Sequence, residues 1–226
     1  MTNKKDIYAR ARKTMVSEQL LPRGITDPRV IDAMLRVPRH FFVEEGLHAQ
    51  AYSDFPLPIG EGQTISQPFM VAYMIEALKL RGTEKVLEVG TGCGYQAAVL
   101  SLIAERVFSI ERVSALVSRA KKTLDAQGYA KVLIRYGDGT LGWPEEAPFD
   151  AIIVAAGSPE VPEALSMQLS PDGGRLVIPV GGEESQELLI ITRQGDSFTE
   201  RRLGGCRFVK LIGKSGWHLE GTSKSC

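Results

Sequence analysis

Three glycines alternate with other residues directly after a short apolar run, and their spacing suits a nucleotide-like ligand. The run covers residues 86–89, and the glycines are Gly90, Gly92 and Gly94. Glycine lets the backbone pass close to a ligand because no Cβ intervenes. A strand, a glycine loop and a helix in this order place such a ligand at the carboxyl end of a parallel strand.

The spacing of the glycines differs from that of dinucleotide-binding proteins. Their G-x-G-x-x-G fingerprint would need a third glycine at position 95, where this chain has the bulky Tyr95. The observed Glu-x-Gly-x-Gly-x-Gly resembles motif I of class I S-adenosylmethionine (AdoMet) methyltransferases. An acidic residue beside the glycines suits the ammonium group of that cofactor. We therefore predict AdoMet contacts at Glu88, Gly90, Thr91, Gly92 and Gly94.

Two further acidic residues follow predicted strands. Glu111 ends the next strand, 21 residues after Gly90 (111 − 90), where a carboxylate can accept hydrogen bonds from ribose hydroxyls. Asp138 and Gly139 end the third strand, where a carboxylate can accept from the adenine amine. Taken singly, Glu111 could be a charge favoured by a helix dipole, and Asp138-Gly139 a turn. All of these features arise in order at successive strand ends, which favours a cofactor site.

A long segment rich in proline, glycine and aromatics precedes the glycine loop and adds information on the substrate. Residues 62–68 read Gly-Gln-Thr-Ile-Ser-Gln-Pro, and residues 36–42 read Arg-Val-Pro-Arg-His-Phe-Phe. Together with motif I, these stretches resemble the protein-L-isoaspartate (D-aspartate) O-methyltransferase family. Residues 137–139, 147–152 and 173–181 resemble later motifs of that family, so that the resemblance covers about residues 10–213.

The resemblance implies a protein-repair activity and assigns residues to it. The family methylates the free carboxyl of L-isoaspartyl residues, and less well of D-aspartyl residues, in damaged proteins, with S-adenosyl-L-homocysteine as the product of AdoMet. By position, Ser66 is the catalytic residue, and Thr64, Ile65, Ser66 and Val209 contact the substrate. The chain departs from the family at Lys210, where the family often has proline.

The chemistry of carboxyl methylation agrees with the residues available. A carboxylate is already ionised at neutral pH, so that no general base is required. Catalysis then depends on holding one oxygen in line with the methyl group. The Ser66 hydroxyl could donate a hydrogen bond that fixes this angle. Alternatively, Ser66 could only cap the helix that begins near Pro68.

The elements that must position these residues follow a βαβ alternation. We predict a Rossmann-like, doubly wound, mostly parallel sheet of about seven strands with an antiparallel edge and an N-terminal helical extension. The predicted strands are 86–89, 107–110, 131–136, 151–155, 175–179, 188–192 and 198–203, and the predicted helices are 6–21, one opening at 26–28, 68–80, 95–104, 113–127 and 161–169. Residues 39–67 are predicted to be a long irregular segment.

Length and composition limit the domain organisation and the partners. The 226 residues predict a single domain, with residues 1–80 as helical and substrate-loop extension and residues 81–213 as cofactor-binding core. Lys plus Arg and Asp plus Glu both number 27, which argues against nucleic acid as a partner. No signal peptide or membrane span is visible, and the scattered Cys and His residues predict no metal site. We expect a cytoplasmic monomer that acts on isoaspartyl proteins and peptides.

Other functions stay open at this stage. A class I methyltransferase for a small molecule or for nucleic acid would share the cofactor motifs, although residues 155–159 lack the Asn/Asp-Pro-Pro-aromatic motif of many nucleic-acid enzymes. A non-catalytic binding module would not need Ser66, Glu111 and Asp138 together. A nicotinamide-dependent oxidoreductase is disfavoured by Tyr95 and by the lack of a Tyr-x-x-x-Lys pair.

Overall fold

The protein is built on a mixed seven-stranded sheet, seen in a computed structural model that describes residues 7–218. Within these residues, the order in the sheet is β5-β4-β3-β6-β7-β8-β9, where β3 to β7 pair in parallel and β8 and β9 are antiparallel. The strands are β1 (Leu57–Gly60), β2 (Gln63–Ile65), β3 (Lys85–Val89), β4 (Arg106–Glu111), β5 (Val132–Tyr136), β6 (Ala151–Val154), β7 (Asp172–Gly181), β8 (Gln186–Gln194) and β9 (Ser197–Cys206).

Apolar side chains on both faces of the sheet explain why helices cover it on both sides. Successive strand residues point to opposite faces, so Val86 joins one buried cluster and Leu87 the other. Four helices, α2 to α5, contribute to the first cluster, and α6 contributes Leu165 to the second. The helices are α1 (Ala9–Thr14), α2 (Pro28–Arg36), α3 (Pro68–Ala77), α4 (Tyr95–Ser101), α5 (Ser114–Gln127) and α6 (Glu163–Met167). The predicted fold class is confirmed.

The N-terminal helix differs from its prediction. An α-helix was expected over residues 6–21, but α1 ends at Thr14 and continues as a wider π-type helix over Met15–Leu20 and a 3-10 turn over Leu21–Arg23. Met15, Val16 and Leu20 are buried by these wider turns. Packing against α2 and α3 thus overrides the regular spacing that the sequence suggested. The first predicted residue, Asp6, lies outside the described residues.

The segment 39–67 is more ordered than predicted. It contains two 3-10 turns, Arg39–Phe42 and Glu45–Gln50, and the antiparallel hairpin of β1 and β2. Proline at position 58 argued against a strand, but a proline is tolerated on the edge of a two-stranded hairpin. At the tip of the hairpin, Glu61 has a φ of 54°, between two glycines that also have positive φ.

The other boundaries shift by a few residues. Helix α4 ends at Ser101 instead of residue 104, and α6 covers Glu163–Met167 instead of residues 161–169. Strands β7, β8 and β9 are longer than predicted because each continues along the antiparallel edge. Within residues 7–218, no helix has both the length and the apolar composition to cross a bilayer.

Candidate active site

The glycine loop lies at the carboxyl end of β3, as predicted, and lines a cleft together with the tips of neighbouring strands. Gly90 has a φ of 94°, and a Cβ there would lie 3.6 Å from the Cβ of Ala155 on the adjacent strand end. The residues that line this cleft include Thr64, Ile65, Ser66, Gly90, Thr91, Gly92, Gln96, Glu111, Gly139, Ala155, Val209, Lys210 and Leu211. One cleft therefore joins predicted cofactor contacts to predicted substrate contacts.

Glu111 connects the glycine loop to the next helix. Its carboxylate accepts a hydrogen bond from the Gly92 N–H at 2.9 Å and another from the Val113 N–H at 2.9 Å. The side chain is 6% exposed and lines the cleft. Each oxygen keeps a lone pair for a ligand, because a carboxylate has about four acceptor positions. Glu111 is thus rigidly held at the edge of the cleft.

Glu88 is fully buried beneath the loop and does not line the cleft itself. One carboxylate oxygen accepts a hydrogen bond of 2.5 Å from Ser109 Oγ, which lies 2.5 Å from Thr91 Oγ1. The other oxygen, Oε1, and Gln96 Nε2 are buried without a hydrogen-bond partner among the described residues. Burial raises the pKa of Glu88 to about 8, although Ser109 and the neighbouring Gln96 amide oppose the shift. Glu88 therefore lies beneath the cleft, and its contact with the cofactor stays a prediction.

Gly94 and Asp138 also lie outside the cleft lining, although Gly139 is part of it. Gly94 has a φ of 90°, and a Cβ there would come within 3.1 Å of Leu124 on α5. Asp138 accepts hydrogen bonds from the Thr140 N–H and hydroxyl and from the Lys214 N–H, at 2.9, 2.7 and 2.8 Å. Gly94 thus serves the packing of helices, and Asp138 holds the C-terminal segment.

Ser66 lies where two clefts meet. A second, more open cleft of about 980 Å³ is lined by side chains from α3, β9 and the segment after it. The two clefts share Thr64, Ser66, Ala155, Val209 and Lys210. A ligand in the first cleft and a chain in the second would therefore meet beside Ser66.

Ser66 does not cap α3. The N-cap residue is Gln67, without a side-chain hydrogen bond, and the Phe69 N–H donates to Asp54 Oδ1 at 3.1 Å. Asp54, fifteen residues upstream of Phe69, thus provides the cap. Among the described residues, no hydrogen bond engages the Ser66 hydroxyl, so the structure does not support the capping alternative.

Arg39 is a site residue that sequence analysis did not single out. Its guanidinium is fully buried and donates to the Ala51 carbonyl and to the Ser66 carbonyl, both at 2.7 Å. The same group lies 4.8 Å from the ring centre of Tyr95, the first residue of α4. Burial lowers the pKa of Arg39, and neighbouring Tyr95 and Cys93 oppose the shift. The sequence signal that could have identified Arg39 is its place directly after Pro38, within residues 36–42 that carry the family resemblance.

The C-terminal segment closes one side of both clefts. Its backbone pairs with the segment that follows β6, where the Gly157 N–H donates to the Val209 carbonyl and the Leu211 N–H donates to the Gly157 carbonyl, both at 2.8 Å. Trp217 Nε1 donates to the same Gly157 carbonyl at 3.0 Å. Lys210 forms an ion pair of 2.8 Å with Glu183 at the rim.

These features fit AdoMet. The glycine loop leaves its backbone open to the cleft, and Glu111 presents a carboxylate at its edge. Within residues 7–218, Glu88 Oε1 and Gln96 Nε2 have no hydrogen-bond partner, and such buried atoms are costly unless a ligand or water pairs with them. An ammonium group above these atoms would donate to Glu88 Oε1, and a carboxylate oxygen would accept from the Gln96 amide; the amino-acid end of AdoMet carries both.

Comparison with known proteins identifies the family. The model of the protein-L-isoaspartate(D-aspartate) O-methyltransferase family matches residues 10–216. Proteins named protein-L-isoaspartate O-methyltransferase from Syntrophotalea carbinolica and Geobacter metallireducens are 60% and 59% identical. The alignments cover 95% and 93% of this chain and 99% and 97% of theirs.

Solved structures agree with this match. One named protein-L-isoaspartate O-methyltransferase has a TM-score of 0.83 at 29% identity and covers 91% of this chain and 67% of its own. A Plasmodium falciparum structure of the same description, solved with S-adenosyl-L-homocysteine, has a TM-score of 0.77 at 26% identity over 91% of this chain and 98% of its own. With the sequence match over nearly its whole length, this chain belongs to the AdoMet-dependent protein-L-isoaspartate(D-aspartate) O-methyltransferase family.

Proposed function

We propose that this chain moves the methyl group of AdoMet to the free carboxylate of L-isoaspartyl residues, and more weakly of D-aspartyl residues, with Ser66 orienting that carboxylate. The observation that carries the role of Ser66 is its place at the junction of the two clefts. Asp54 caps α3 in its stead, so the hydroxyl remains available for substrate.

The cofactor is held from three sides in this proposal. Gly90, Thr91 and Gly92 present backbone to it, Glu111 accepts from its ribose hydroxyls, and Gly139 leaves room beside the adenine. Glu88 acts from below, through its unpartnered oxygen. When bound, AdoMet supplies a methyl group on a positively charged sulfur.

The residues beside Ser66 provide orientation and no base. The substrate carboxylate arrives ionised, because its reference pKa is near 4. Cys93 also lines the cleft, but burial raises the pKa of its thiol to about 11, so that it stays protonated and a poor nucleophile at neutral pH. Thr64, Ile65 and Val209 enclose the carboxylate, and the Ser66 hydroxyl donates to one of its oxygens.

The proposal is tested with two peptides that differ only in an L-isoaspartyl or a normal aspartyl linkage. Labelled AdoMet should give base-labile methyl incorporation into the isoaspartyl peptide alone. Ser66→Ala should lower kcat by about 10-fold to 100-fold and change AdoMet affinity by less than about threefold, since the hydroxyl serves the acceptor.

A matched control and two contrary outcomes complete the test. Ser118→Ala removes an exposed hydroxyl on α5 and should leave the rate unchanged. A normal rate in Ser66→Ala would reject the role of Ser66. Intact AdoMet binding without methylation of either peptide would reject the isoaspartyl substrate and favour a small-molecule acceptor.

The proposal includes the predicted monomer in the cytoplasm, without a nucleic-acid or membrane partner. The balance of 27 basic and 27 acidic residues supports the absence of nucleic acid. Light scattering after size-exclusion chromatography should give a mass near 24.7 kDa, and a dimer mass would reject the monomer.

A further inference from the structure

We propose that Arg39 is a positioning residue of the methyl transfer, which sets the place of the Ser66 hydroxyl relative to the glycine loop. The inference rests on the proposed role of Ser66. It concerns a residue that lines neither cleft and reaches Ser66 through a backbone carbonyl.

The Arg39 guanidinium joins the two ends of residues 51–66, here called the substrate loop. Nε donates to the Ala51 carbonyl and Nη2 to the Ser66 carbonyl, and both distances are 2.7 Å. The segment between these carbonyls contains the β1–β2 hairpin, which supplies Thr64 and Ile65 to the cleft. A planar group with donors at fixed angles thus determines where the loop ends beside the cofactor site.

The same guanidinium connects the substrate loop to the helix that follows the glycine loop. Its Cζ lies 4.8 Å from the ring centre of Tyr95, which follows Gly94 directly and is 1% exposed. Tyr95 also packs edge-on against Phe42, from the 3-10 turn that contains Arg39, at 5.6 Å between ring centres. The bulky residue that replaces the third glycine is therefore the surface on which Arg39 rests.

The free-energy cost of burying Arg39 indicates that this residue positions the loop and does not mainly stabilise the fold. Arg39 is fully buried, and no acidic side chain in residues 7–218 forms an ion pair with it. Its Nη1 has no hydrogen-bond partner within the same residues. A buried cation without a carboxylate costs free energy that an apolar side chain would not. We explain this arrangement by function: the protein tolerates the cost because Arg39 fixes the place of the Ser66 backbone for methyl transfer.

Arg39→Lys is the first test, because a lysine keeps the charge but replaces the planar guanidinium, with its donors at fixed angles, by a single ammonium on a flexible stem. We expect kcat for the isoaspartyl peptide to fall by about 10-fold or more, while AdoMet affinity changes by less than about threefold. The matched control is Arg175→Lys. Arg175 also donates to a distant carbonyl, that of Leu78 at 2.8 Å, but away from both clefts, and its change should alter kcat by less than about twofold.

Arg39→Met separates position from folding. The substitution removes a buried charge but also leaves the Ala51 and Ser66 carbonyls without their donors. Because these effects oppose each other, the melting temperature should change by no more than about 10 °C, while kcat falls as in the lysine variant. Failure of both Arg39 variants to fold would assign the residue to the core and overturn the proposal.

A double-mutant cycle with Ser66→Ala decides whether Arg39 acts through Ser66. If it does, Arg39→Lys should lower kcat by less than about threefold once the hydroxyl is gone. An undiminished factor in that background would overturn the proposal. Ser66→Ala alone keeps Arg39 in place, so that a normal rate in that single variant rejects the proposed role of Ser66 separately.

Discussion

The cofactor side and the substrate side of the cleft are built in different ways. On the cofactor side, Gly90, Glu111 and Gly139 lie at the carboxyl ends of parallel strands or within three residues of them, and the sheet brings these strand ends together. On the substrate side, Arg39 donates to the Ser66 carbonyl, and Asp54 accepts from Phe69 in the first turn of the following helix. Neither residue belongs to a strand or an α-helix of the sheet core.

This difference shows how the two functions can vary separately. A site built from strand ends is as rigid as the sheet, and its residues are recognisable by their spacing. A site built from loops depends on a few long-range hydrogen bonds. Substitutions that alter one of these bonds can change which substrate accepts the methyl group, without disturbing the cofactor site. Substitutions on the two sides should therefore affect different kinetic parameters.

The largest effect is expected on the cofactor side, at Glu111. Glu111→Ala leaves the Gly92 and Val113 N–H groups without their acceptor and removes the carboxylate from the cleft. We expect AdoMet affinity to fall by about 100-fold, or about 3 kcal/mol, by calorimetric titration. Glu105→Ala, an exposed acidic residue just before β4, is the control. Unchanged affinity in Glu111→Ala would contradict the cofactor assignment.

A pH effect of about 3 kcal/mol is expected from Glu88. Its pKa is about 8 in the folded chain against an ordinary value of 4.5, so the folded state binds more protons than the unfolded state between these values. The free energy of unfolding should therefore fall as the pH rises from about 5 to 8. In Glu88→Gln this part of the decrease should vanish in urea denaturation. Parallel pH profiles of the two proteins would contradict the assignment.

An intermediate effect is expected where the two sides meet, at the hydrogen bond between Lys214 and Asp138. Lys214→Pro removes the N–H that donates to Asp138 at 2.8 Å and should loosen the segment that contains Val209. We expect the KM for the isoaspartyl peptide to rise by about 10-fold, or about 1.4 kcal/mol, with AdoMet affinity nearly unchanged. Lys214→Ala keeps the N–H and serves as control. Equal KM values for the two variants would show that this hydrogen bond does not serve the substrate side.

The smallest effect is expected at Lys210, the position where the family often has proline. Its ion pair with Glu183 joins two partly exposed side chains, and such pairs contribute about 0–1 kcal/mol. Lys210→Met should therefore change the peptide KM by less than about threefold at physiological salt. A change above 10-fold that disappears in 0.5 M salt would instead indicate that the charge selects substrates.

Local sequence patterns were sufficient for the sheet and for the cofactor side. All seven strands of the sheet were predicted near their positions, and Gly90, Thr91, Gly92, Glu111 and Gly139 line the cleft. The β1–β2 hairpin was missed because proline, here Pro58, is uncommon in strands. The N-terminal segment was predicted as one regular α-helix because its wide turns depend on packing. Glu88 and Asp138 lie near the cleft, as predicted, but the spacing of residues does not reveal their hydrogen-bond partners, Ser109 and Lys214.

Sequence alone determined the order of strands and helices, the glycine loop, the family and the position of Ser66, because each of these depends on residues that are neighbours in the chain. Only the tertiary structure decided that Asp54 caps α3, that Arg39 joins Ala51 to Ser66, and that Asp138 holds Lys214. The last of these contacts spans 76 residues. Hydrogen bonds over such separations depend on the path of the folded chain, which no local pattern of residues specifies.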